Sequence, residues 1–213
     1  MNAVFDNDVL FKGACYGLLD RLVGTICLSN EGGVLGSARF VVPHKIEKAV
    51  LNRDRAMALE TLLEFLSQTI ILEPVEEEQR MAADFELAAQ RVGASLDGGE
   101  SQLCAIVVQR LLPLLVTGDK RAIAAIETIL DADPRLMAMC GKVRCLEQVF
   151  AGSIARYGTA ALRVAVCAEP QIDKALSICF SCRSQCVEEA SIRDGLQSYI
   201  NDLRQRAGRV LCA

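Results

Sequence analysis

The residues of this sequence best suited to chemistry are acidic, and they come as a spaced series. Val4-Phe5-Asp6-Asn7-Asp8-Val9-Leu10 sets two carboxylates two residues apart at the end of an apolar run. Leu96-Asp97-Gly98-Gly99-Glu100 and Val116-Thr117-Gly118-Asp119-Lys120-Arg121 follow at two later turns. Each also has a plain structural use. Asp and Asn suit turns and helix N-caps, and Asp97 with Glu100 three residues on fits a capping box, with Asp in the Ser/Thr role. A buried carboxylate is costly, however, unless it is paired or bound to a cation. Hard carboxylate oxygens suit Mg²⁺ or Mn²⁺, and the single histidine, His44, leaves little for zinc or non-haem iron. His44 follows Pro43 at a helix start and is read as a surface or capping residue.

The elements that must position these acids alternate. Residues 3–10 read as a short strand with acidic residues at its end, and residues 11–23 as a helix. Asn30-Glu31-Gly32-Gly33 marks a turn. Residues 38–43 read as a second strand, with Pro43 opening a helix over 44–51. A helix over 55–67, a strand over 69–74 and a helix over 76–90 follow. The triplet Glu76-Glu77-Glu78 suits a helix N-terminus. Residues 100–110 read as a helix, 114–119 as a fourth strand and 121–130 as another helix. Alternation of this kind predicts a three-layer α/β/α fold with a mostly parallel central sheet. Ligands of such sheets sit at the carboxyl ends of strands, where Asp6 and Asp119 fall. Residues 131–213 read as a mostly helical C-terminal extension of a core spanning 1–130, with weak strand signals at 143–154 and 162–166.

Taken in order, the motifs resemble the PIN-domain nucleases, over roughly residues 3–130. These are a strand ending in Asp6-x-Asp8, then Phe40-Val-Val-Pro-His-Lys-Ile-Glu47, then the Gly99-Glu100 helix opening, then Thr117-Gly-Asp119. The resemblance implies that Asp6, Glu100 and Asp119 are metal carboxylates and that Glu47 is a fourth. Asp8 stands where that family often has Asn and supports the site, as do Asp97 and Thr117. Lys120 and Arg121, with Arg39 and Lys45, are candidates to hold phosphates. The implied activity is Mg²⁺- or Mn²⁺-dependent hydrolysis of RNA, single-stranded RNA in particular. An inhibitor protein or a homodimer would fit the family as partners.

Two other functions remain open. Phe5-Asp6-Asn7-Asp8-Val9-Leu10 also resembles the first motif of haloacid-dehalogenase-like phosphatases, with Asp6 as nucleophile. That family's later acidic pair has no convincing counterpart here. The other alternative is a catalytically inactive PIN-like module that binds or regulates.

Composition narrows the classes further. Hydrophobic residues form 52% of 213 and charged residues 23%, enough for a large core and against wholesale disorder. A net charge of −4 and a pI near 5.2 argue against a salt-driven DNA binder with a basic face. No apolar run reaches the ~20 residues of a membrane helix, and the N-terminus lacks a signal's basic region. The expectation is therefore a cytoplasmic protein whose ten cysteines are reduced, buried thiols. Cys179-x-x-Cys182-x-x-x-Cys186 has a metal-like spacing that one helical face would equally explain, with Cys140, Cys145 or Cys167 as a possible fourth ligand.

Overall fold

In the computed structural model, which describes residues 1–27 and 32–213, a five-stranded sheet forms the middle layer. Its strands are β1 (Ala3–Phe5), β2 (Gly32–Leu35), β3 (Ile70–Leu72), β4 (Leu115–Thr117) and β5 (Val143–Cys145). They run parallel in the order β3-β2-β1-β4-β5. The order reverses between β1 and β4. This is the switch point at which a crevice opens beyond the strand ends of a doubly wound sheet.

Side chains leave the strands alternately, and each face buries its own core. Ala3, Phe5, Val34 and Val116 enter one cluster, while Val4, Leu35 and Leu115 enter the other. The first is covered by α1 (Asn7–Tyr16), α2 (Leu19–Ile26), α3 (Ala38–Lys48) and α4 (Arg55–Gln68). The second is covered by α5 (Glu76–Arg91), α6 (Gly98–Gln109) and α7 (Lys120–Ile129). With helices on both faces the architecture is the expected three-layer α/β/α fold.

Residues 131–213 are mostly helical and also supply β5, the strand beside β4. Their helices are α8 (Leu146–Tyr157), α9 (Thr159–Ala168), α10 (Lys174–Cys179) and α11 (Glu189–Arg206). Phe150, Leu162, Phe180 and Leu196 from these helices and the turn after α10 pack in the same cluster as Phe5 and Val9.

Several local readings differ from the structure. The first strand stops at Phe5, because Asp6 caps α1 by accepting from Asn7 N at 2.6 Å. The single helix expected over 11–23 is two, broken at Gly17, whose φ of 63° ends α1 in the left-handed region. Gly32 and Gly33 belong to β2 and not to a turn, while Asn30 and Glu31 lie outside the described residues. A Cβ on Gly32 would stand 2.7 Å from the Phe5 ring, so close strand packing requires glycine there.

The largest departure is residues 38–43, expected as a strand and found as the start of α3 with Pro43 inside it. The Phe-Val-Val-Pro run looked strand-like through its β-branched residues. The deciding feature is Ala38, Val42 and Ile46, one buried stripe at a spacing of four. Residues 162–166 are helical, within α9.

The cysteines divide. Cys167 and Cys182 form a disulfide, against the expectation of free thiols throughout. Helix α10 ends at Cys179, and Ser181 takes a positive φ of 48°. Cys179, Cys182 and Cys186 therefore share no helical face. Cys179 is buried and Cys186 exposed. No helix among the described residues is long and apolar enough to cross a membrane.

Candidate functional site

Helices α1, α6 and α7 begin at the carboxyl edge of the sheet, beside the switch point. Each begins on an acidic cap. Asp6 follows β1 directly. Asp97 accepts from Gly99 N and Glu100 N, both at 2.9 Å, and Glu100 Oε2 accepts in return from Asp97 N at 3.0 Å. The capping box read from the sequence is thus formed. Asp119 opens α7 by accepting from Arg121 N at 2.7 Å and Ala122 N at 3.3 Å.

These starts surround a cleft of about 560 Å³. Asp6, Asp8, Asp97, Glu100 and Asp119 line it, together with Ser37, Val41, Lys45 and Arg121. Five acids from three separate segments, spread over more than a hundred residues, meet in one place. Thr117 lies beneath them and ties two together. Its hydroxyl donates to Asp6 Oδ2 at 3.1 Å and accepts from Asp119 N at 3.1 Å. The threonine therefore orients Asp6 through its side chain and Asp119 through its backbone.

The electrostatics are those of a site short of positive charge. Burial, reinforced by Asp8, raises the Asp6 carboxyl to about 6. Burial likewise raises Glu100 to about 8, with Asp97, Asp119 and Asp6 adding repulsion against the Asp97 backbone hydrogen bond. Asp119 behaves oppositely. Burial pushes it up, but the Arg121 side chain and two backbone amides more than offset this and hold it below the ordinary range. The Arg121 guanidinium lies 2.9 Å from Asp119 Oδ2 and is otherwise largely in solvent, a screened counter-ion.

Asp8 has a counter-ion of its own. Lys12, one turn along α1, stands 2.6 Å from Asp8 Oδ2 and 2.6 Å from Asp173 Oδ2, with little solvent access. A Cβ on Gly118 would collide with Asp8 Oδ2, so the chain needs glycine before Asp119 to let this pair approach. Lys12 was not singled out in the sequence. Its signal, a basic residue four positions after Asp8, emerges only once α1 is known to start at Asn7.

Two predicted residues lie elsewhere. Glu47 is exposed near the end of α3, 3.8 Å from His44, and does not line the cleft. Because α3 starts at Ala38, Val41 and Lys45 face the cleft. Glu47 lies roughly 200° around the axis from Lys45, at 100° per residue. Lys120 also turns away from the cleft. It sits 2.5 Å from buried Glu147 and over the Tyr199 ring at 5.6 Å.

Lys120 is thus a structural cation. Lys120→Met should cost about 3–5 kcal/mol in urea unfolding, the penalty for stranding a buried carboxylate, and adding Glu147→Gln should recover much of it. Unchanged stability in Lys120→Met would refute this role.

Carboxylate oxygens dominate the cleft, which suits a hard divalent cation. Glu100 Oε1 takes no hydrogen bond among the described residues, and Asp6 is largely desolvated. Among the described residues, no group of three or more His, Cys, Asp or Glu side chains is arranged as a ready metal shell. The chain matches no family model, no curated protein and no solved structure.

Proposed function

We propose that this protein is a Mg²⁺- or Mn²⁺-dependent nuclease that hydrolyses RNA, as its motif order suggests by resemblance to PIN-domain nucleases. One observation carries the reading. Asp6, Glu100 and Asp119 come from three separate elements to one switch-point cleft, and burial and mutual repulsion hold the first two above their ordinary range. A bound cation would stabilise such a cluster.

A divalent ion held there would supply charge neutralisation and Lewis acidity for attack of water on a phosphodiester. The protein's own residues do the rest. Asp6, Glu100 and Asp119 would present the ligand oxygens, and Thr117 holds the Asp6 carboxylate and the Asp119 backbone. Asp97 holds the first turn of α6, and hence the placement of Glu100. With an ion held there, Arg121 would be free to leave Asp119 for a phosphate, and Lys45 lines the same cleft. A phosphatase using Asp6 as nucleophile would need Asp8 as its proton donor. The Lys12 ammonium on Asp8 favours the nuclease instead.

The test is cleavage of labelled single-stranded RNA by the full chain with Mn²⁺, with EDTA, and by Asp6→Asn with Mn²⁺. Asn still caps a helix, so the variant keeps its fold. Cleavage confined to the Mn²⁺ wild type is expected. An inert wild type, or equal cleavage by Asp6→Asn, would overturn the assignment and leave an inactive binding module as the better account.

A further inference from the structure

Helix α3 forms one side of the cleft, and its outer face is unusual for this protein. Of the seven phenylalanines, Phe5, Phe65, Phe85, Phe150 and Phe180 are buried and Phe11 is half-buried, while Phe40 is 77% exposed. Exposed beside it on α3 are Arg39, Val41, His44, Lys45, Glu47 and Lys48. Counting Arg39, Lys45 and Lys48 against Glu47 gives the exposed residues of α3 a sum of +2 on a chain of −4. None of those three cations has an ion-pair partner among the described residues. An exposed aromatic ring on a helix whose exposed cations are unpaired is a poor surface for an apolar protein partner. It has the two parts of a single-strand platform, a ring on which a base can stack and cations for the backbone.

The placement fits the same purpose. Val41 and Lys45 line the carboxylate cleft. Successive residues of a helix lie 100° apart, so Phe40 stands roughly 140° around α3 from Lys45, with His44 and Lys48 between them, and faces away from the buried Ala38, Val42 and Ile46.

We propose that the outer face of α3 is a docking platform for single-stranded RNA, with a base stacked on Phe40 and Lys45 and Lys48 holding phosphates that lead into the cleft. The inference rests on the nuclease reading and deepens it by naming how the strand approaches. A duplex keeps its bases stacked inside and offers Phe40 nothing to stack on. The platform therefore selects unpaired RNA.

The test is fluorescence anisotropy of a 5′-labelled oligouridylate with the full chain in Ca²⁺, which shields the acidic cleft, with probe integrity checked by gel. Phe40→Ala should weaken binding roughly 5- to 150-fold, the loss of one stacked base, and Phe40→Trp should restore it. Lys48→Gln should weaken binding and reduce the salt dependence by about one phosphate contact. Wild-type binding that Phe40→Ala leaves unchanged overturns the platform. So does equal affinity for a duplex of the same sequence. Either result leaves Mn²⁺-dependent cleavage standing, because that is read separately. A wild type that cleaves nothing and binds nothing overturns both.

Discussion

Asp119→Asn should lower Mn²⁺-dependent RNA cleavage by at least about 100-fold, the upper range seen when even an outer partner of a metal ligand is removed. The substitution is clean for a structural reason. Asp119 Oδ1 accepts from Arg121 N and Ala122 N at the start of α7, and asparagine fills that capping role nearly as well. What the variant loses is charge. Arg121, whose guanidinium lies 2.9 Å from Asp119 Oδ2, also loses its ionic partner. Thermal unfolding should therefore change little while cleavage collapses. Equal cleavage by Asp119→Asn and wild type would remove Asp119 from the site.

The second large effect concerns stability, and its sign runs against intuition. Glu100 binds its proton more tightly when folded, at about 8 against an ordinary 4.5. Its contribution is therefore fully present below pH 4.5 and is lost as pH rises to about 8. Asp6 acts in the same direction between 3.8 and about 6. Without divalent metal the protein should thus lose stability from about pH 4 to 8. Glu100→Gln keeps the capping box, since glutamine serves at that position, and removes the half-buried charge. In EDTA at pH 8 it should be more stable than wild type by on the order of 2–4 kcal/mol, a rise of roughly 4–10 °C in Tm.

Metal reverses the comparison. Mn²⁺ should stabilise wild type by about 2.7 kcal/mol at a hundredfold excess over its Kd, and Glu100→Gln much less. Calorimetry across pH, with and without Mn²⁺, reads both effects. A Glu100→Gln protein less stable than wild type at pH 8 in EDTA would show that Glu100 is not a strained carboxylate. An acidic cleft held at a cost to the fold is expected of a binding site and not of a cap alone.

Composition and periodicity made much of this legible. The alternation of apolar runs with helical stretches predicted the three-layer parallel fold, and strand ends were found near Asp6 and Asp119 because carboxylates interrupt apolar runs there. The capping box at Asp97 and Glu100 was readable because it is local, four residues satisfying each other's backbone. Local rules failed where burial decided. Phe40-Val41-Val42 carries strand-forming residues, yet Ala38, Val42 and Ile46 seal one core, so the segment is helical with Pro43 inside. That single misreading also misplaced Glu47, because starting α3 at Ala38 turns it away from the cleft. Lys120 was misassigned for a long-range reason, a buried carboxylate at Glu147 drawing its ammonium away.

What the sequence alone determined is the set of acids at strand ends and the class of sheet that carries them. Only the tertiary structure decided which of them share a cleft. Strand order, helix phase and the long-range hydrogen bond from Thr117 to Asp6 set that outcome. The physical reason is range. Caps and periodicities act over a few residues, whereas the charge balance of a cleft is fixed by groups up to about a hundred residues apart that meet only on folding.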